Sequence, residues 1–241
     1  MQKLRKPTLS IVMPVYNEEK TIQAILDQVL KVSLPGLIKE IVVVDDGSKD
    51  MTRQLLKAYE KKCTIIYQPR NQGKGAAVVT GLKAATGDIF LIQDADLEYS
   101  PDNYSSLLQP LLERKRNVVY GSRFLGKKEK IFGKGKTLIP LHYIGNKTLS
   151  LFTTLLYFQK ITDMETCYKL FTREVYDHIL PLQAQRFDLE PEITAKILKQ
   201  GYHILELPIH FAPRHFSEGK KITWRDGLKA LYYLVKYRFM N

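Results

Sequence analysis

The stretch Gly87–Pro101, GDIFLIQDADLEYSP, changes character abruptly. Four apolar residues, Ile89 to Ile92, read as a strand buried on both faces. The run ends on Gln93 and then on Asp94, Asp96 and Glu98. Like charges repel, and a carboxylate resists leaving water unless something positive meets it. Hard divalent cations such as Mg2+ and Mn2+ take oxygen ligands and bridge carboxylates to substrate phosphates. Asp94 and Asp96 are therefore candidate metal ligands for a bound diphosphate. A calcium loop of the EF-hand type is set aside. It needs Gly at its sixth position, where Tyr99 stands, and flanking helices, whereas a strand precedes this loop.

Working outward, the same pattern recurs. LSIVMPVY (Leu9–Tyr16), EIVVVDDGS (Glu40–Ser48), CTIIYQ (Cys63–Gln68) and NVVYGSR (Asn117–Arg123) read as further strands. Helix-like segments separate them, at Glu18–Lys31, Asp50–Lys62, Lys74–Thr86 and Asp102–Arg116. Ser100-Pro101 opens the last of these as an N-cap and first-turn pair. Such alternation predicts an α/β fold, with a mainly parallel sheet and helices on both faces.

The second half is less regular. Phe124–Pro140 is rich in Gly and Lys and reads as a mobile basic loop. Leu141–Phe158 reads as an apolar helix, CYKLF and YHILELPIHF as strands, and FDLEPEITAKILKQ as a helix between them. The C-terminal Thr223–Asn241 has apolar residues at helical spacing, with Lys229, Lys236 and Arg238 interleaved. No repeat or linker stands out, so residues 1–241 are expected to form one domain with a C-terminal amphipathic elaboration.

Ligands of open parallel sheets bind beyond the carboxyl ends of the strands. Here those ends carry PVYNEE, DDGSKD, QPRNQGKG and QDADLEYSP. Tyr16, Glu18, Asp45, Asp46, Lys74, Asp94 and Asp96 are thus expected on one rim. A lone Asp after a strand is more often a helix cap; four polar clusters at one rim reverse those odds. RNQGKGAA (Arg70–Ala77) offers backbone amides and Lys74 to phosphate, although it matches neither a Walker A loop nor GxGxxG.

The net charge of +12 points to an anionic partner without choosing one. Two distant cysteines, Cys63 and Cys167, argue against a disulfide framework or a zinc site. No segment reaches the roughly 18 apolar residues of a membrane span. A nucleic-acid-binding protein is disfavoured, because the basic residues are scattered and acids gather at the rim. A nucleotidyltransferase would carry its Gly-rich stretch after the first strand, where PVYNEE stands.

IVMPVYNEE, EIVVVDDGSKD, NQGKGAA and DADLEYSP, in this order and spacing, resemble the inverting glycosyltransferases of family 2, which have the GT-A fold. GSRF, DMETCYKLF and LPIHFAPRHFSEGKKI narrow the likeness to polyprenyl-phosphate sugar synthases, such as the dolichyl-phosphate mannose and glucose synthases. The resemblance implies a donor-binding half at about 8–123 and an acceptor-side half at about 124–241. It implies that Pro14, Tyr16, Glu18, Asp45 and Asp46 hold the base and ribose of a nucleotide sugar, GDP-mannose or UDP-glucose. Gly73 and Lys74 would lie near the nucleotide, with Ala95 between the two metal-binding aspartates. Glu98 would be a third ligand to Mg2+ or Mn2+. Asp163 and Glu165 would line the sugar pocket, although Thr166-Cys167 stands where many relatives carry Cys-Gly or Gly-Phe. Arg123, Arg214 and Lys221 would act near the donor and acceptor phosphates.

A phosphate acceptor is already an anion, so it needs positioning and charge neutralisation rather than a strong base. Arg123, Lys127, Lys128, Lys130, Lys134 and Lys136 suit that task. A saccharide, protein or alcohol acceptor would instead need a base, for which Asp163, Glu165 and Asp188 are candidates. A lipid acceptor implies a cytoplasmic protein docked at the cytoplasmic face of a membrane, on the bilayer surface or on a membrane partner protein. Leu138–Phe158 and Ile222–Phe239 have the mixed apolar, aromatic and basic character of interfacial helices; two helices packed on the core is the competing reading.

Overall fold

The structure is a computed structural model that describes residues 5–126, 140–213 and 224–240. Lys127, Lys128, Lys130, Lys134, Lys136, Arg214 and Lys221 lie outside the described residues, as does most of the basic loop.

Seven strands form one sheet: β1 (Thr8–Val15), β2 (Ile38–Asp45), β3 (Thr64–Tyr67), β4 (Ile89–Ile92), β5 (Val118–Ser122), β6 (Lys169–Thr172) and β7 (Ile204–Pro208). Their spatial order is β3-β2-β1-β4-β6-β5-β7. β1 pairs in parallel with β2 and β4, β2 with β3, and β5 with β7. β6 runs antiparallel to both β4 and β5. All eight residues of β1 are buried. Side chains alternate across a sheet, so both of its faces are covered. This is the expected mainly parallel α/β architecture, with one reversed strand in its middle. A run such as CYKLF carries no mark of its direction.

The helices are α1 (Ile22–Lys31), α2 (Thr52–Leu56), α3 (Lys74–Ala84), α4 (Tyr104–Leu112), α5 (Pro140–Tyr157), α6 (Arg173–His178), α7 (Leu189–Lys199) and α8 (Trp224–Phe239). In α1 the buried Ile22, Ile25, Leu26 and Val29 form one stripe at helical spacing. The helix starts later than expected, because Glu18 carbonyl oxygen receives the amides of both Thr21 and Ile22 in a turn. The expected Asp50–Lys62 helix is shorter, with α2 passing into a 3-10 turn at Lys57–Tyr59. The Ser100-Pro101 start holds: Ser100 Oγ accepts from Asp102 N and opens a 3-10 turn ahead of α4.

Close backbone approaches depend on two glycines. Gly47 has φ +72°, and a Cβ there would meet Arg70 C and Asn71 N at 2.5 Å. A Cβ on Gly75 would meet Arg186 O and Gln185 C at 2.8 Å. That gap lets the 184–186 segment lie on the first turn of α3, where Ala76 N donates to Gln185 O at 3.0 Å. α8 packs on α5 and α7. Tyr157 OH donates to Leu234 O at 2.8 Å across the α5–α8 contact.

Candidate active site

The carboxyl ends of β1, β2 and β4 open onto a cavity of about 370 Å3. Pro14, Tyr16 and Glu18 reach it from β1, and Asp46 from β2. Gly73 and Lys74 come from the start of α3, and Asp94, Ala95, Asp96 and Glu98 from the end of β4. Arg123 closes one side behind β5, and Glu165 enters from the turn before β6. Most of the expected site residues thus share one wall.

Two expected residues stand behind that wall. Asp45 is fully buried, and Arg53 Nε donates to its Oδ2 at 2.5 Å. Asp163 is also fully buried, and its carboxylate is taken up by Arg123. Neither lines the cavity. Arg214 and Lys221 lie outside the described residues.

Buried hydrogen bonds hold the rim in shape. Gln93 is fully buried, and its Oε1 accepts from Tyr104 OH at 2.5 Å and from Tyr168 OH at 2.7 Å. Its Nε2 donates to Asp94 O at 2.9 Å, which fixes the backbone where the strand ends. Asp46 accepts Gln72 N at 2.7 Å and Gly73 N at 2.8 Å, and so folds the Gly-rich loop onto the rim. Burial pushes the Asp46 carboxyl above its ordinary pKa despite these two donors. The Gly-rich stretch therefore has a structural partner on β2, which the sequence reading left undecided.

Lys74 is the central cation. Its Nζ lies 3.0 Å from Asp94 and 3.1 Å from Glu190 Oε1. Burial disfavours its charge, but the two carboxylates outweigh that and hold the ammonium well above its usual pKa. Arg123 also stays charged, because Asp163 offsets its burial. The Arg123 guanidinium lies 5.3 Å from the centres of both the Phe124 and Phe211 rings. Phe211 packs edge-on to Tyr99 at 5.1 Å, and Tyr99 and Arg123 both line the cavity. Burial, reinforced by Glu190, pushes the Glu165 carboxyl up to about 7.

Asp94 and Asp96 offer hard oxygen donors on the cavity wall, which suits Mg2+ or Mn2+. Among the described residues no three His, Cys, Asp or Glu side chains form a metal cage, so Glu98 completes no preformed set. Two carboxylates are enough where substrate phosphates and water fill the other positions, as is usual for Mg2+.

The sequence reading missed part of the wall. Asn71, Tyr99, Cys167, Arg186, Phe187 and Glu190 also line the cavity. Arg186 and Phe187 come from the segment leading into α7, part of which lies against the first turn of α3, and Glu190 comes from the first turn of α7 itself. Glu190 is a carboxylate on a helix whose first ten residues are nearly all buried. A buried acid of that kind was the available signal.

The glycosyl transferase family 2 model matches residues 10–180. The chain belongs to glycosyl transferase family 2. Among relatives of this family 2 chain is a dolichyl-phosphate beta-glucosyltransferase of Trichomonas vaginalis, 35% identical over 95% of this chain and 72% of its own. Another is a UDP-N-acetylglucosamine–dolichyl-phosphate N-acetylglucosaminyltransferase of Methanococcus voltae, 28% identical over 93% of this chain and 94% of its own. Glucosyl-3-phosphoglycerate synthase of Mycobacterium tuberculosis has a similar fold, with a TM-score of 0.71 at 18% identity, over 98% of this chain and 82% of that one. The same synthase was crystallised with Mn2+ and UDP-glucose, and that structure gives a TM-score of 0.70 at 20% identity. The family 2 assignment and the GT-A fold agree with the sequence expectation, and the enzyme is a glycosyltransferase.

Proposed function

We propose that this glycosyltransferase moves a hexose from a nucleotide sugar to a polyprenyl phosphate, with inversion, at a membrane surface. The observation that carries the reading is one cavity lined by both carboxylates and cations. Asp94 and Asp96 line it together with Arg123 and Lys74, and Lys74 Nζ lies 3.0 Å from Asp94. The dolichyl-phosphate transferases among the relatives supply the acceptor class.

In this account residues 8–123 hold the donor and 124–241 face the acceptor. Tyr16, Glu18 and Asp46 contact the nucleoside. Asp94 and Asp96 would hold Mg2+ or Mn2+, which when bound stabilises charge on the leaving diphosphate. Lys74 adds a fixed cation beside that diphosphate. Arg123, held by Asp163, orients the acceptor phosphate and offsets its repulsion from the donor. Attack on the face opposite the leaving group inverts the anomeric centre.

Among the described residues no helix is long and apolar enough to cross a membrane. Exposed apolar side chains gather on two packed helices: Leu151 and Leu155 on α5, with Phe158 just after it, and Leu228, Tyr232 and Phe239 on α8. They support docking on a lipid surface, aided by the net positive charge.

A hydroxyl acceptor is the second reading, and one observation favours it. Of the three candidate bases, Asp163 is consumed by Arg123, and Asp188 accepts the amides of Gln185 and Arg186 and does not line the cavity. Glu165 remains on the wall, with a pKa near that of an effective general base. Transfer assays with a polyprenyl phosphate or with simple saccharides as acceptor separate the two. Product only with the lipid phosphate supports the main reading, and product only with saccharides supports the second.

A further inference from the structure

α8 carries two stripes of different chemistry. Leu228, Tyr232, Val235 and Phe239 recur at helical spacing and are 57%, 63%, 39% and 75% exposed. Lys229, Tyr233 and Lys236 follow one position later, so their stripe runs beside the apolar one. Together with Tyr237 they line a second cavity, of about 390 Å3. Its other wall is Gln183, Gln185, Arg186, Phe187 and Asp188. Arg186 and Phe187 also line the cavity at the strand ends, so the two cavities share a wall.

Three cations line this second cavity against one acid. Asp188 is already engaged, because its Oδ1 accepts Gln185 N at 3.1 Å and Arg186 N at 2.6 Å. Among the described residues no salt bridge involves Arg186, Lys229 or Lys236. Lys196 on α7 differs, since it pairs with Glu192 at 2.7 Å. Lys236 Nζ lies 5.2 Å and 5.8 Å from the centres of the Tyr237 and Tyr233 rings, which favour the ammonium there. The facing wall is fixed as well. Gln183 N and Ala184 N donate to the fully buried Glu192 carboxylate at 2.9 Å and 2.7 Å. Like charges that converge on one cavity repel, and an anion there relieves the repulsion.

Two lysines, an arginine and the Tyr233 hydroxyl are donors that suit a phosphate. The neighbouring apolar stripe tells which kind. On a bilayer Leu228, Tyr232, Val235 and Phe239 would enter the boundary of the acyl chains, which leaves the lysine stripe at the level of the headgroups. A soluble anion needs no such neighbour.

We propose that the cavity between α8 and residues 183–188 is a headgroup site for an anionic phospholipid, whose phosphate meets Arg186, Lys229 and Lys236. This inference rests on the membrane-surface reading above. The site is separate from the acceptor phosphate at Arg123, which does not line this cavity. It also differs from attraction by net charge, because the position of the lysines, not their number, decides binding.

The test is co-sedimentation of the full chain with phosphatidylcholine vesicles, with and without phosphatidylglycerol. Lys229→Gln/Lys236→Gln is compared with Lys61→Gln/Lys62→Gln. The second pair removes the same charge from exposed lysines ahead of the edge strand β3, outside both cavities. The first pair should weaken binding to the anionic vesicles at least about tenfold, and the second less than about threefold. Equal weakening overturns the inference and leaves only net charge. Glycerol phosphate carries a headgroup phosphate without acyl chains, so it should release wild type from the vesicles better than chloride at equal ionic strength. No difference between these two salts overturns the inference without any variant. Calorimetric binding of glycerol phosphate that needs the two lysines, with vesicle binding that does not, overturns the lipid assignment and makes this a site for free phosphate. Wild type that sediments with neither kind of vesicle overturns the membrane-surface reading itself.

Discussion

Arg123 and Asp163 are locked together by three hydrogen bonds to one carboxylate. The Arg123 backbone amide donates at 2.9 Å, Nε at 2.8 Å and Nη2 at 2.7 Å. Asp163 is fully buried, and the Arg123 side chain is 14% exposed. Removing one partner of a buried pair strands the other charge, at a cost of about 3–5 kcal/mol. Asp163→Asn should lower stability by an amount of that order in chemical denaturation. Arg123→Lys should keep the fold but lose the two-pronged fork. Its transfer rate should fall at least about tenfold, the usual scale for a lost charge-assisted hydrogen bond.

Asp96 stands on the cavity wall, where its Oδ1 accepts the Glu98 amide at 3.1 Å, a bond that an Asn oxygen can also accept. If it binds the divalent ion, Asp96→Asn should cut transfer by roughly two orders of magnitude or more, the scale of one lost electrostatic contact. The thermal midpoint without metal should barely change. A metal titration of the residual activity should shift to higher concentration. A variant with normal activity and normal metal dependence would remove Asp96 from the metal site.

The raised Glu165 pKa sets a pH dependence of stability. Its ordinary carboxyl titrates near 4.5, and in the fold near 7. Between those values the folded state holds more protons than the unfolded chain. Stability contributed by this group therefore falls as pH rises from about 4.5 to about 7. Glu165→Gln should flatten that part of the stability profile. Denaturant midpoints measured at pH 5, 6 and 7 for both proteins check the sign.

Gly47→Ala combines a left-handed φ with a backbone clash at 2.5 Å. It should destabilise the protein by at least about 1–3 kcal/mol. It should also weaken nucleotide binding, because Arg70 and Asn71 would be pushed away from the rim. Thermal unfolding and nucleotide titration check both effects.

Leu155 and Phe239 are 65% and 75% exposed, so they contribute little to the core. Replacing both by Asp should leave the thermal midpoint within a few degrees, as is usual for surface changes. If these helices dock on lipid, co-sedimentation with anionic vesicles should weaken about tenfold, the scale of about 1 kcal/mol or more per buried apolar side chain.

The first half of the chain was legible because its signals are local. Apolar runs at 9–16, 40–48 and 89–92 ended on polar clusters, and the structure gathers those clusters at one cavity. Asp45 and Asp46 show the limit of such reading. Adjacent carboxylates in sequence point to opposite sides of a strand end, so one meets Arg53 and the other the Gly-rich loop. The reversed β6 and the short α6 were not foreseen. Their placement depends on long-range pairing, as in Leu91 with Leu170. Arg186, Phe187 and Glu190 were missed for the same reason. They reach the cavity only because Gly73 and Gly75 let the 184–186 backbone lie against α3.

The most direct test of the account is transfer of labelled hexose from UDP-glucose and GDP-mannose, separately, to a polyprenyl phosphate with Mn2+ or Mg2+, using Asp96→Asn as control. The account predicts lipid-extractable product from one donor, dependent on the metal and lost in the variant. Donor binding or hydrolysis with no lipid product, or product undiminished in Asp96→Asn, would contradict it.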